Sequence, residues 1–219
     1  MRCRGDGLGR LVVFDMDGTI ADTSAGIFDS YRHTAQALGR RVPDDSELAD
    51  VIGGALPINL GRKLGLSPEE IPMAVEIYRD YYGKEGYKES RLYPEFREML
   101  SVLKEKGFSM SVATMKAERF AKQLVRDWGL EEYFISVHGV DRDDRVTKPD
   151  MIRMCLAETG TAPGDCTLVG DTVQDRSAAE AVGVRFAAVT YGFGYTEDEC
   201  RRSGIRYAVS PAELPNVIE

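Results

Sequence analysis

Leu11-Val12-Val13-Phe14 is a short apolar run that stops abruptly at Asp15-Met16-Asp17-Gly18-Thr19. Four apolar residues in a row, two of them valine, suit a strand buried on both faces, as in a parallel sheet. Such a strand delivers the next residues to the carboxyl edge of the sheet, where open α/β folds bind ligands. Asp15 and Asp17 are two apart, so in extended backbone their side chains share one face. Carboxylates that close repel unless a proton or a cation lies between them. Gly18 allows a sharp turn that exposes backbone N–H groups. The layout suits a site for a divalent metal, an anion or both; a plain acidic turn after a strand is the alternative.

After Thr19 the apolar period changes to that of a helix. Ile27, Tyr31, Ala35 and Leu38 predict a helix over 22–38, closed by Gly39. A second starts at Pro43 and Asp44-Asp45-Ser46 and stops at Ile52-Gly53-Gly54. Leu56, Leu60 and Leu64 mark a third, ended by Gly65. Ser67-Pro68-Glu69-Glu70 has the cap, proline and acids of a helix start. Ala74, Val75, Tyr78, Tyr81 and Tyr82 then line a fourth helix, closed by Gly83 and Gly86. No strand is expected between 22 and 86.

From Tyr93-Pro94 helix and strand alternate. Helices are expected at 95–106, 117–128, from Lys148-Pro149 to Glu158, and at 175–182. Strands are expected at Phe108–Ala113, Ile135–His138, Thr167–Val169, Val184–Val189 and Tyr207–Val209. This rhythm implies βαβ units and a parallel sheet covered on both faces. The fold class is therefore α/β, a Rossmann-like parallel core with an inserted four-helix module. The expected division is 1–21 and 88–219 for the core and 22–87 for the insert.

Four strand ends carry polar residues: Asp15 to Thr19, Thr114-Met115-Lys116, Thr147-Lys148-Pro149, and Gly170-Asp171 through Asp175. A carboxylate cluster suits Mg²⁺, which prefers oxygen ligands. A hydroxyl, a lysine and turn amides suit a phosphoryl group. One carboxylate can then attack phosphorus while its neighbour handles the proton.

With these residues in this order, the chain resembles the haloacid dehalogenase superfamily, and within it the phosphatases that carry a helical cap after the first strand. The resemblance spans nearly the whole chain and implies specific roles. Asp15 is then the nucleophile that is transiently phosphorylated, and Asp17 the general acid and later the base. Mg²⁺ is held by Asp15, Asp171 and the backbone carbonyl of Asp17, with Asp175 steadying the site. Thr114 and Lys148 bind phosphate, helped by amides of Met16, Asp17 and Met115. The dehalogenase branch lacks the second aspartate that Asp17 supplies here. Within the superfamily, Ile52-Gly53-Gly54 and Tyr191-Gly192-x-Gly194 look most like phosphoglycolate phosphatases and related pyrophosphatases, although Met115 and Ala117 depart from that subgroup. The cap turn at Gly53 and Gly54, with Asn59, Arg62 and Lys63 behind it, is the expected specificity element. Arg62 and Lys63 could reach a second anion; a solvated helix face is their plainer role.

A phosphomutase similar to β-phosphoglucomutase is the competing enzyme reading. Ile27 stands where such enzymes carry a cap histidine and Pro57 where they carry a cap arginine, which favours hydrolysis. A phospho-aspartate receiver domain is the reading from another class; it lacks both the Asp-x-Asp-Gly-Thr order and the insert.

The formal net charge of −8 argues against non-specific attraction to nucleic acid or an anionic membrane. No apolar run approaches the roughly 20 residues of a membrane span. Met1 to Arg10 form a polar lead-in without the apolar core of a secretory signal. Cys3, Cys155, Cys166 and Cys200 have no ligand spacing and are expected to be reduced thiols of a cytoplasmic protein. Histidines 33 and 138 lie too far apart in the chain to suggest zinc or a serine triad. Residues 141–145 are expected to be a solvated mixed-charge loop. The expected partner is a small phosphorylated metabolite, and the expected assembly is a monomer or homodimer.

Overall fold

The computed structural model describes residues 10–141 and 145–219. The lead-in with Cys3 and most of the 141–145 loop lie outside the described residues. Strand β1 is Leu11–Phe14. After a short β2 (Ala21–Asp22), the chain forms helices α1 (Ser24–Ala37), α2 (Asp45–Leu48), α3 (Leu56–Leu64) and α4 (Ile71–Lys84), then returns in β3 (Arg91–Leu92). The remainder is α5 (Phe96–Glu105), β4 (Ser109–Ala117), α6 (Glu118–Asp127), β5 (Val137–Val140), α7 (Lys148–Thr159), β6 (Cys166–Gly170), α8 (Val173–Val182), β7 (Arg185–Val189), α9 (Glu197–Ser203), β8 (Tyr207–Ala208) and α10 (Leu214–Ile218).

The main sheet has the order β5-β4-β1-β6-β7-β8, and every pairing in it is parallel. The alternation along β1 shows why its run is apolar throughout. Val12 and Phe14 join the cluster beneath α5, α6 and α10, with Phe96, Leu100 and Leu124. Leu11 and Val13 join the opposite cluster beneath α7 and α8, with Met151, Ile152 and Ala179. Neither face is left for water, as expected for a central parallel strand.

The inserted helices have their own apolar cluster, including Tyr31, Leu48, Leu60, Ala74, Tyr78 and Tyr82. Phe120 of α6 and Phe193 pack against it, so the insert is seated on the core. Its two connections run side by side as β2 and β3, paired antiparallel through Ala21 with Leu92 and Asp22 with Arg91. The sequence showed no such ribbon, because two residues carry no period.

Other boundaries differ from expectation as well. The fourth helix starts at Ile71 rather than at Ser67. Pro72 lacks the N–H that a helix begun at Pro68 would need, so residues 67–70 form a turn instead, with Glu70 N donating to Ser67 O at 3.0 Å. Gly83 lies inside α4 against the Phe120 ring, where an added Cβ would come within 2.9 Å of it. β4 continues past Thr114 to Ala117 because Ala117 pairs with Val140 after an irregular step, and β5 accordingly lies two residues later than expected. Helix α9 was not expected, although Thr196 and Glu199 form a capping box at its start. Among the described residues no helix is long and apolar enough to cross a membrane.

Candidate active site

β1 and β6 lie side by side, and Asp15 N extends their ladder by donating to Val169 O at 2.9 Å. This holds Asp15 next to the turn that carries Asp171. The chain then coils tightly: Met16 O accepts from Thr19, Ile20 and Ala21 N at 3.2, 2.9 and 3.2 Å. The backbone is not extended here, so Asp15 and Asp17 do not share one partner set. Met16 itself is fully buried in the core.

Asp15, Asp171 and Asp175 each place a carboxylate oxygen within 4.8 Å of the others, and all three are buried. Lys148, the first residue of α7, puts its Nζ 2.7 Å from Asp15 Oδ1 and also pairs with Asp175 Oδ1. Thr172 N and Oγ1 donate to Asp175 Oδ2 at 2.9 and 2.6 Å in the capping box of α8. Asp15 Oδ2 and Asp171 Oδ1 are buried without a hydrogen-bond partner among the described residues. Burial pushes the Asp15 carboxyl up to about 6; Lys148 opposes this, and Asp175 and Asp17 add to it. Burial, then Asp15 and Asp175, push Asp171 up to about 8. Burial pulls the Lys148 ammonium down, but Asp15 and Asp175 outweigh it and the net direction is up. A group of buried oxygens that is short of positive charge fits a divalent cation, which prefers such ligands.

The Asp17 side chain stands outside this group. Its Oδ1 accepts from Thr23 Oγ1 at 2.8 Å and lies 2.8 Å from Lys116 Nζ. Lys116 is buried and also stands over the Tyr82 ring, 4.7 Å from its centroid. Lys116 had no expected role, because the strand was expected to stop at Thr114. In the longer β4, residues 114 and 116 are two apart on one strand, and that period was the available signal. Thr114 is buried, and its Oγ1 accepts from Lys116 N at 3.2 Å.

Gly18 has φ +80°, and an added Cβ would lie 2.3 Å from Asp171 Oδ2. The late glycine loop closes the same corner: Phe193 N donates to Asp171 Oδ2 at 2.8 Å and Tyr195 N to Asp171 O at 2.7 Å. Both donors are backbone N–H groups, and the loop that carries them bears the late glycine motif singled out in the sequence.

A cavity of about 280 Å³ lies between insert and core, and Asp17, Lys116 and Met115 are among the core residues that line it. Gly53 and Gly54 line it from the insert. Gly53 has φ +78°, and an added Cβ would sit 3.3 Å from Thr172 Cγ2, so the turn can rest directly on the core loop. Arg62 does not line this cavity. Its guanidinium pairs with Asp50 at 2.7 Å and donates to Asn59 at 3.0 Å, while Lys63 pairs with Asp50 at 2.6 Å. These cations hold the turn in place rather than pointing at the cavity.

A family model for haloacid dehalogenase-like hydrolases matches residues 12–189. The chain belongs to this family. This hydrolase is 32% identical over 210 residues to a 5'-nucleotidase of Pseudomonas aeruginosa, covering 95% of each chain. It is 31% identical over 208 residues to the tyrosine-protein kinase PtkA of Mycobacterium tuberculosis, covering 94% of this chain and 71% of that one. The solved structure of PtkA matches it with a TM-score of 0.82 at 28% identity, covering 98% of this chain and 99% of that one. It is 27% identical over 218 residues to a phosphoglycolate phosphatase of Vibrio parahaemolyticus, covering 95% and 96%. The hydrolase is thus an enzyme of the phosphatase kind, similar to phosphoglycolate phosphatases.

Proposed function

We propose that this protein is a cytoplasmic Mg²⁺-dependent phosphomonoesterase that hydrolyses a small phosphorylated metabolite through an aspartyl-phosphate on Asp15. The observation that carries the reading is the buried Asp15 carboxylate, with one oxygen beside Lys148 and the other unpartnered next to Asp171. An Asp15 oxygen bonds to phosphorus as the bond to the leaving oxygen breaks, and Asp17 supplies that oxygen with a proton. Asp17 then takes a proton from water as the water oxygen bonds to phosphorus and frees Asp15. Lys148 and Thr114, with amides of Met16 and Met115, hold the phosphoryl oxygens and offset their charge. Mg²⁺, held by Asp15, Asp171 and Asp17 O with Asp175 steadying the group, would supply further positive charge to those oxygens. The insert over 22–87 acts as a cap domain that excludes water.

The relatives' names span three different activities and do not settle the substrate. Ile27 and Pro57 both line the cavity, so it has neither a histidine nor an arginine at the positions a mutase needs. That supports hydrolysis. Phosphate release from a panel of monoesters, with and without Mg²⁺, tests the reading: release that requires Mg²⁺ is expected, and interconversion of sugar phosphates without release would favour the mutase.

Two further results are expected. Asp15 and Asp171 have raised carboxyl values in the fold, well above 3.8. Protons therefore bind these carboxylates more tightly in the folded state than in the unfolded one. That contribution to stability is full below about pH 4 and is lost as the pH rises through about 6 and about 8. A cation replaces the missing protons, so near-saturating Mg²⁺ should raise Tm by about 5–10 °C at pH 8. At pH 5 the rise should be less than half of that. Equal shifts at the two pH values in calorimetry would count against the metal site. Separately, Lys116→Met should lower kcat by about 100-fold with a smaller change in KM, because it frees Asp17 to leave its position. Lys116→Arg should recover most of the loss; a KM effect alone would make Lys116 a substrate contact instead.

A further inference from the structure

The cavity beside Asp17 is far from featureless. Tyr31, Tyr78, Tyr82 and Phe120 form a continuous aromatic wall that crosses from α1 and α4 of the insert to α6 of the core. Successive ring centroids are 5.2, 6.0 and 5.0 Å apart. Leu56 and Ile58 line the same space from α3.

Among the described residues, the charged ones on the lining are Asp17, Lys116 and Arg79. Asp17 and Lys116 pair with each other, and Arg79 has an interaction within the chain while its Nε is buried without a hydrogen-bond partner among the described residues. Beyond the tyrosine hydroxyls, the lining includes no serine, threonine, asparagine, glutamine or histidine among the described residues. A leaving group rich in hydroxyls would be desolvated here with few partners. Each unpaired polar group costs about 1–3 kcal/mol. A flat apolar ring would instead pack against Phe120, Leu56 and Ile58, which are not buried, with the buried tyrosines behind them. The volume of about 280 Å³ lies near the lower limit of sites that enclose drug-sized ligands, roughly 300–1,000 Å³, and far exceeds what a two-carbon acid needs.

We infer that the substrate is a phosphate monoester whose leaving alcohol carries a planar, largely apolar ring, and that Phe120 is one of the residues that select it. The inference rests on the phosphomonoesterase reading above and narrows it to a substrate class. Small hydroxy-acid phosphates, pyrophosphate and simple sugar phosphates are then poor substrates.

The test compares kcat/KM for benzyl phosphate, adenosine 5'-monophosphate, 2-phosphoglycolate, pyrophosphate and glucose 6-phosphate on the Mg²⁺-loaded protein. In benzyl phosphate, as in 2-phosphoglycolate, the oxygen that leaves phosphorus is borne by an aliphatic carbon, so a more acidic leaving group does not explain a preference. Benzyl phosphate should exceed each of the other four by tenfold or more. The leaving group of adenosine 5'-monophosphate is planar in part but carries ribose hydroxyls and a polar base, so it tells a flat ring alone from a flat apolar one. Any of the other four that equals or leads benzyl phosphate overturns the inference while leaving the phosphatase intact. Release from no compound overturns the phosphatase reading and this one with it. Phe120→Ala should reduce the benzyl phosphate to 2-phosphoglycolate ratio by at least fivefold. Phe120→Leu, which keeps most of the apolar volume and so protects the fold, should reduce it less, and an unchanged ratio in both variants removes Phe120 from the selection. A ratio also cancels any loss of folded protein.

Discussion

Asp15→Asn is expected to lower phosphate release by about 10⁴-fold or more, the scale seen when a nucleophile is removed from a catalytic group that acts as a unit. Asparagine keeps the shape and the hydrogen bond to Val169, which comes from the backbone of residue 15. It removes an oxygen that can bond to phosphorus and one negative charge from a crowded site. Burial pushes Asp15 up to about 6, so above that pH its charge opposes folding. The metal-free variant should therefore unfold at the same urea concentration as the parent or a higher one at pH 7.5. Retained turnover would sink the nucleophile assignment, and a large loss of stability would show that Asp15 holds the fold as well.

Lys148→Met should damage both function and fold. The Lys148 ammonium is buried between Asp15 and Asp175. Methionine fills much of the stem's volume but leaves two carboxylates facing each other without a counter-charge. Breaking a buried pair from one side costs about 3–5 kcal/mol. Urea unfolding of the metal-free protein at pH 7.5 should show a loss in that range, and activity should fall by about 10³-fold with it. A loss below about 1 kcal/mol would show that the pairs made by Lys148 contribute little to the fold. Mg²⁺ should restore part of the stability because it supplies the missing positive charge to the same oxygens.

The sheet was legible because its signals are local. Leu11 to Phe14 are apolar at every position, and a central parallel strand needs that. Leu56, Leu60 and Leu64 mark α3 to the residue, since Gly65 ends it in a left-handed turn. Where tertiary pairing set the boundary, local reading failed. β4 runs to Ala117 only because β5 lies beside it, and the β2–β3 ribbon exists only because the two ends of the insert meet. Helix α4 begins late for a reason that is written in the chain, Pro72, but that competes with a strong cap signal at Ser67.

The candidate site divides in the same way. The residue types at the strand ends, Asp15, Asp17, Thr114, Lys148, Asp171 and Asp175, are legible in the sequence, because a parallel sheet brings the ends of neighbouring strands together whatever the loops do. Their partners are not. Nothing local tells Lys148 to stand between Asp15 and Asp175, turns Asp17 away toward Lys116 and Thr23, or spends Arg62 on Asp50. Nor does it join tyrosines of the insert to Phe120 of the core in one wall. Chain order determined which chemistry reaches the sheet edge. Which groups touch there, and what shape of leaving group they admit, was decided by packing between segments far apart in sequence, where charge pairing and excluded volume act only once the chain has folded.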